Sequence, residues 1–169
     1  MSHAVIRTDL MSGTNVNAYL RSFKYMGAGT TATDIDNGCV VKLDSIMADG
    51  QGAVKDREIW KAVTPAATDT KADVVIVATP EVMYDERLGK LTDFYNEAGR
   101  PARGYVPHSN DIFSVTADAL DGVPTVGQGV AIQADVKLKV GTFDADTSFG
   151  KVIAIETADN LTYYVIEVV

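Results

Sequence analysis

Cysteine is nearly missing from this chain: Cys39 is the only one in 169 residues. A disulfide framework within one chain is thereby excluded. Cys39 opens the apolar run Cys39-Val40-Val41-Lys42-Leu43 and reads as a small buried hydrophobe. A nucleophilic thiol needs a base and an electropositive setting, and neither of the two histidines, His3 and His108, lies near it in sequence. Long apolar runs are missing too. None approaches the ~18 residues of a membrane-spanning helix, so the sequence predicts no such helix. The opening MSHAVIRTDL has no extended apolar segment of the signal-peptide kind, which points to synthesis in a cytosol-like compartment. Basic charge is short as well: 15 Lys and Arg stand against 23 Asp and Glu, for a net charge of −8. The basic residues are scattered, and an acidic surface repels phosphate backbones, so nucleic-acid binding is disfavoured.

What is present is a β pattern. At 46% hydrophobic the chain can bury a real core, as one domain or two small ones. Residues 1–35 mix Gly, Ser, Thr and Asn with isolated apolar anchors and read as an N-terminal arm, docked on its own domain or on a neighbour. Tyr19, Leu20 and Phe23 fit one face of a short helical turn. Residues 36–169 read as a β-rich globular domain with short strands at regular spacing. Asn37-Gly38 is a turn signal ahead of a strand over Cys39–Leu43. Glu58–Val63 is a second strand, with Trp60 its largest candidate for burial. Asp73–Ala78, DVVIVA, is apolar on both faces and belongs in the middle of a sheet or barrel. Residues 85–98 are a candidate helix, with Leu88, Leu91 and Tyr95 on one face and Glu86 one turn before Lys90. Gly89 argues against it, and a loop packed on the barrel is the alternative. Ala102–Val106 is a strand that runs into the polar corner Ser109-Asn110-Asp111, and the strand Ile112–Thr116 follows. Val130, Ile132, Ala134, Val136, Leu138 and Val140 alternate with more polar neighbours, the period of a half-solvated strand. Lys151–Glu156 and Leu161–Val169 flank a turn at Ala158-Asp159-Asn160 and form the clearest hairpin. Tyr163 and Tyr164 point to opposite faces, which predicts one packed inward and one at the surface. The fold class is therefore mainly β: a compact antiparallel barrel or sandwich with one short helix and an extended N-terminal arm.

Few residues offer chemistry. Gly27–Thr31, GAGTT, lacks the lysine and preceding strand of a phosphate loop and reads as part of a flexible arm. Asp34-Ile35-Asp36-Asn37-Gly38 is one residue short of calcium-loop spacing and has no closing Glu, and Asp144–Ser148 offers only alternating oxygens. Both read as solvated turn carboxylates. His108 lies in a turn beside Ser109, with Asp111 near, but no strained nucleophile elbow accompanies it; a surface or interface histidine is the better reading. No catalytic, cofactor or metal site is expected.

Three segments carry a family resemblance. They are IDNGCVVKLD, AGRPARGYVPHSNDIFSVTADAL and the closing FGKVIAIETADNLTYYVIEVV. Together they resemble the small decoration, or cement, proteins that coat tailed-bacteriophage capsids. Ser109-Asn110-Asp111 stands where the family pattern has a glycine at the corner. The resemblance implies a non-enzymatic virion protein, assembled in the host cytoplasm and bound to the outer capsid surface. It implies the major capsid protein as partner, a homotrimer, and no direct contact with nucleic acid or membrane. Candidate partner contacts on the arm are Tyr19, Arg21, Phe23, Lys24 and Tyr25. Two other classes compete: a carbohydrate- or host-binding β module of a phage tail or fibre, and a small hydrolase built on a barrel. The first predicts clustered exposed aromatics on loops, whereas the lone Trp60 lies inside a strand.

Overall fold

The computed structural model describes residues 2–11, 16–47, 58–82 and 89–169. Among the described residues, twelve strands form two sheets. Five close into a barrel in the order β2 (Leu20–Tyr25), β4 (Ile59–Val63), β3 (Val40–Ile46), β5 (Val74–Val77) and β6 (Ala102–Tyr105). β6 returns antiparallel to β2 and closes the ring, and β2 and β4 are its one parallel pair. Seven form an open sheet in the order β1 (Ile6–Leu10), β7 (Ile112–Val115), β12 (Leu161–Val168), β11 (Gly150–Ala158), β9 (Gly129–Gln133), β10 (Asp135–Gly141) and β8 (Leu120–Asp121). The chain starts in the open sheet, leaves it to build the whole barrel, and comes back at β7 beside β1, where Ile6 faces Val115.

There are two apolar cores. Phe23, Tyr25, Cys39, Val41, Ala62, Val75, Val77 and Ala102 fill the barrel, with Trp60 half-buried against them. Val40, Val74, Ile76 and Tyr105 pack from the barrel's outer wall against Phe113, Val115, Val130, Leu138, Val152 and Ile166 of the open sheet. The strand Val74–Val77 thus has an apolar residue at every position for a definite reason: Val75 and Val77 point into the barrel, Val74 and Ile76 into the second core. So small a barrel leaves no interior space to spare. A Cβ built on Gly104 would lie 2.5 Å from a Val75 methyl, so only glycine fits there.

Several expectations need correction. The segment read as an arm is built into both sheets: Ile6–Leu10 is β1 and Leu20–Tyr25 is β2. Isolated apolar anchors look loose in sequence, yet Ile6 faces Val115 and Leu20 faces Tyr105, partners 109 and 85 positions away. The GAGTT segment is a turn rather than arm, with Gly27 at φ 51° and Gly29 at φ 121°, and Thr64 N donates to Gly27 O at 3.1 Å. The candidate helix falls partly on residues outside the described set. Its described part is a single 3-10 turn, Leu91–Asp93, followed by extended backbone in which Asn96 bridges Ile35. Leu91 is exposed, while Tyr95 stacks on His3, so they share no buried face. Among the described residues the only helical elements are this turn and those at Asn17–Tyr19 and Ala117–Ala119. The alternating run 130–141 is two strands folded on each other, with Val130 facing Val140 and Ala131 facing Lys139. In that register the even-numbered residues keep to one face in both strands, so the period of two passes through the turn unbroken. Tyr163 and Tyr164 are both buried, at 2% and 7% exposure. Tyr164 lies in the inter-sheet core, and Tyr163 is covered by the Arg7 guanidinium, 5.4 Å from its ring centre.

Candidate functional site

The corner between β6 and β7 carries the chain from barrel to open sheet, and it is built by hydrogen bonds. Asn110 adopts φ 72°, the left-handed conformation that a glycine would take and that Asn tolerates better than most residues. Asp111, 3% exposed, accepts from His108 N at 2.9 Å. Asn110 N donates to Val168 O, and Val168 N to Asp111 O. The Lys71 ammonium donates to Ser109 Oγ at 2.6 Å and to Val169 O. Tyr19 reaches the same corner, its ring 4.0 Å from that of His108. Beside it an open cleft of about 380 Å³ is lined by Asp69, Thr70, Lys71, Asp146, Thr147 and Phe149, among others. Ser109 is exposed, and a serine beside a lysine invites a nucleophilic reading. Here, however, Lys71 also donates to Val169 O, and His108 Nδ1 stands 3.8 Å from Asp111. These bonds fasten the corner to Val168 and Val169.

The partner contacts expected on the arm divide. Phe23, 0% exposed, and Tyr25, 9%, are barrel core and are corrected as contacts for a neighbour. Tyr25 also shares a 2.8 Å hydrogen bond with Thr64 through its hydroxyl. Tyr19, Arg21 and Lys24 are half-buried. The Arg21 guanidinium folds back onto the carbonyls of Ala18 and Leu20 at 2.5 and 3.0 Å. The structure does not gather the five residues into one surface.

The acidic turns serve the backbone. Asp34 accepts from Ala98 N at 2.7 Å, and Asp36 binds His3 Nδ1 at 2.7 Å. Asn37, wholly buried, exchanges hydrogen bonds with the backbone of Thr79 at 2.8 and 3.0 Å and receives Asn96 Nδ2 at 3.1 Å. Asp144 accepts from Asp146 N, and Ser148 from Asp144 N. Among the described residues no three His, Cys, Asp or Glu side chains converge to hold a metal ion. Burial pushes the Cys39 thiol up to about 12, so it is not a thiolate at neutral pH. Hydrogen bonds from the backbone and hydroxyl of Thr70 hold the Asp73 carboxyl below its ordinary range, and the 2.6 Å bond to Asp69 raises Lys42. Both fasten the connection between β4 and β5. No described helix is long and apolar enough to cross a membrane.

The feature that sequence reasoning missed is an edge. β11 pairs with β12 along its length, but on its other side β9 meets it only at Gly150 and Lys151, and Gly127 and Gln128 bond to Val152. Beyond that point no described strand pairs with that side of residues 153–158. Ile153 and Ile155 on this strand are 37% and 43% exposed, and Val126, next to Gly127 in sequence, is 58% exposed. Branched residues in a strand ordinarily signal burial; only the sheet order shows these to be outside. Comparison of the chain with protein-family models, curated proteins and solved structures finds no match in any of the three.

Proposed function

We propose that this chain is a structural virion protein that binds the outer surface of a tailed-phage capsid as a homotrimer and bridges neighbouring capsomers. The observation that carries the reading is the side of β11 that no described strand pairs beyond Val152, with Ile153 and Ile155 exposed on this strand and Val126 exposed next to Gly127. An exposed apolar strand edge is a template for association, and natural proteins keep one uncovered at the cost of aggregation unless a partner uses it. A rigid closed barrel behind the sheet suits a part that must resist load without chemistry. The resemblance of the three segments to decoration proteins supplies the partner, the major capsid protein. Single contacts of this size are weak, but repetition over a lattice makes occupancy multivalent.

The test is co-sedimentation of the purified protein with capsids of a phage that encodes it. Saturable binding is expected, with at least a tenfold loss of affinity for the Ile153→Lys/Ile155→Lys variant. Absence of binding by the unmodified protein would sink the proposal. Undiminished binding by the variant would leave attachment standing and remove this edge from it.

A further inference from the structure

We propose that Asn37-Gly38 is a latent deamidation site: the fold holds it inert, unfolding releases it, and a chain it has altered does not fold again. This is the one Asn-Gly pair in the sequence. In a free chain such a pair is the most prone to deamidate, because glycine has no side chain to shield its own nitrogen. Gly38 N loses its proton and attacks Asn37 Cγ; a C–N bond forms, and the side-chain nitrogen leaves as ammonia. Water then opens the cyclic imide at one of its two carbonyls. The product is aspartate, or its isomer with the backbone routed through the side chain. Water is the only reagent consumed.

The structure requires both residues, so the chain carries the labile pair of necessity. Gly38 has φ 82°, and a Cβ built on it would lie 2.9 Å from a Val115 methyl and 3.1 Å from Ala119 Cβ. Glycine alone meets both conditions. Asn37 is 0% exposed. Its Nδ2 donates to Thr79 O at 2.8 Å and to Glu81 Oε1 at 3.1 Å. Its Oδ1 accepts from Thr79 N at 3.0 Å and from Asn96 Nδ2 at 3.1 Å. A side-chain amide has two donors and an oxygen with two lone pairs, and here every one has a partner.

The same contacts block the reaction. Gly38 N donates to Val77 O at 2.7 Å, so the attacking nitrogen is engaged with the end of β5. Asn37 Cγ is fixed through bonds on both its oxygen and its nitrogen, and cannot swing toward Gly38 N. Water for the second step has no access to a residue without exposed surface. Reaction therefore needs the Asn37 bonds and the link to β5 broken together. Val77 belongs to the barrel core, which ties that opening to the unfolding of the barrel.

The product does not fit the place it left. Aspartate at position 37 keeps the oxygen that faces Thr79 N and Asn96. It sets a second oxygen against Thr79 O and the Glu81 carboxylate, where the amide had donated. A buried carboxylate oxygen then meets two acceptors and no donor. The isomer adds one backbone carbon just ahead of Gly38, where Val115 and Ala119 leave no room. The site works in one direction: folded copies keep their amide, and a copy that stays open is withdrawn from the folded pool.

The experiment incubates the full chain with reductant at mildly alkaline pH, folded in one sample and in concentrated guanidinium in the other. Peptide mass spectrometry follows the conversion of the Asn37 amide to an acid. The folded rate should be at least about tenfold below the unfolded rate, since the site reacts only when it opens. A smaller gap would overturn the proposal. The partly reacted, unfolded sample is then diluted to refold and separated by size. The refolded peak should retain Asn37 with its amide, and the altered chains should collect in the aggregate. Equal proportions of altered chain in both fractions would overturn the one-way step. The Asn37→Asp variant reads that step without refolding: it should fail to reach the soluble fraction or unfold at a lower denaturant concentration than the parent. Parental yield together with a parental midpoint would overturn it. No capsid takes part, so the outcome is independent of the functional proposal.

Discussion

The barrel and the open sheet contain similar residues but treat their edges in opposite ways. The barrel closes β6 onto β2 and has no free edge. The open sheet ends at β1 and β8 and leaves one side of residues 153–158 of β11 without a described partner strand. The barrel's interior is committed: Phe23, Val41, Val75 and Val77 are at most 1% exposed. The open sheet instead shows Ile153 and Ile155 to solvent on the uncovered side of a strand. Closure pairs every strand of the barrel on both sides, whereas the open sheet leaves apolar side chains at its surface.

Substitutions should separate the two regions. Phe23→Ala empties the barrel centre and should cost about 3–5 kcal/mol by chemical denaturation; a loss near 1 kcal/mol would mean that the barrel collapses onto the gap and is not rigid. Asn37→Leu removes the buried amide that joins the barrel entrance to Thr79 and Asn96. It should cost roughly 1–3 kcal/mol, since buried partners lose their hydrogen bonds. Cys39 gives a pH signature for the barrel. Its folded value of about 12 lies above the ordinary 9.0, so its contribution is complete below pH 9 and lost as pH rises toward 12. The stability difference between the parent and Cys39→Ala should fall steadily over that range, and a difference flat in pH would mean that Cys39 is not desolvated. The smallest effect belongs to the open sheet: Ile153→Lys/Ile155→Lys should change stability by no more than about 0.5 kcal/mol per site while weakening association.

Much of the β pattern was legible in local chemistry. DVVIVA announced a strand buried on two sides. Ala158-Asp159-Asn160 announced the turn between β11 and β12, where Asp159 and Asn160 have positive φ of 51° and 62°, the backbone of a tight primed turn. What stayed hidden depends on distant partners. β1 looks like an arm until Val115 is placed beside Ile6. Asp36 and Asn37 look like turn carboxylate and turn amide until His3 and Asn96 arrive, 33 and 59 residues away. The hairpin of β9 and β10 imitates one strand because its register preserves the alternation. The side of β11 without a described partner strand has no signature in its own residues, because the pairing there is decided by where β9 stops.

β5 joins the two regions in another way. It is four residues long, yet Val75 and Val77 belong to the barrel interior while Val74 and Ile76 belong to the packing between the sheets. Drawing it out of place would open both cores at once. Neither sheet should therefore melt by itself: heat or denaturant should dismantle the molecule as one cooperative unit, because Val40 of β3 and Tyr105 of β6 join β5 in the core between the sheets.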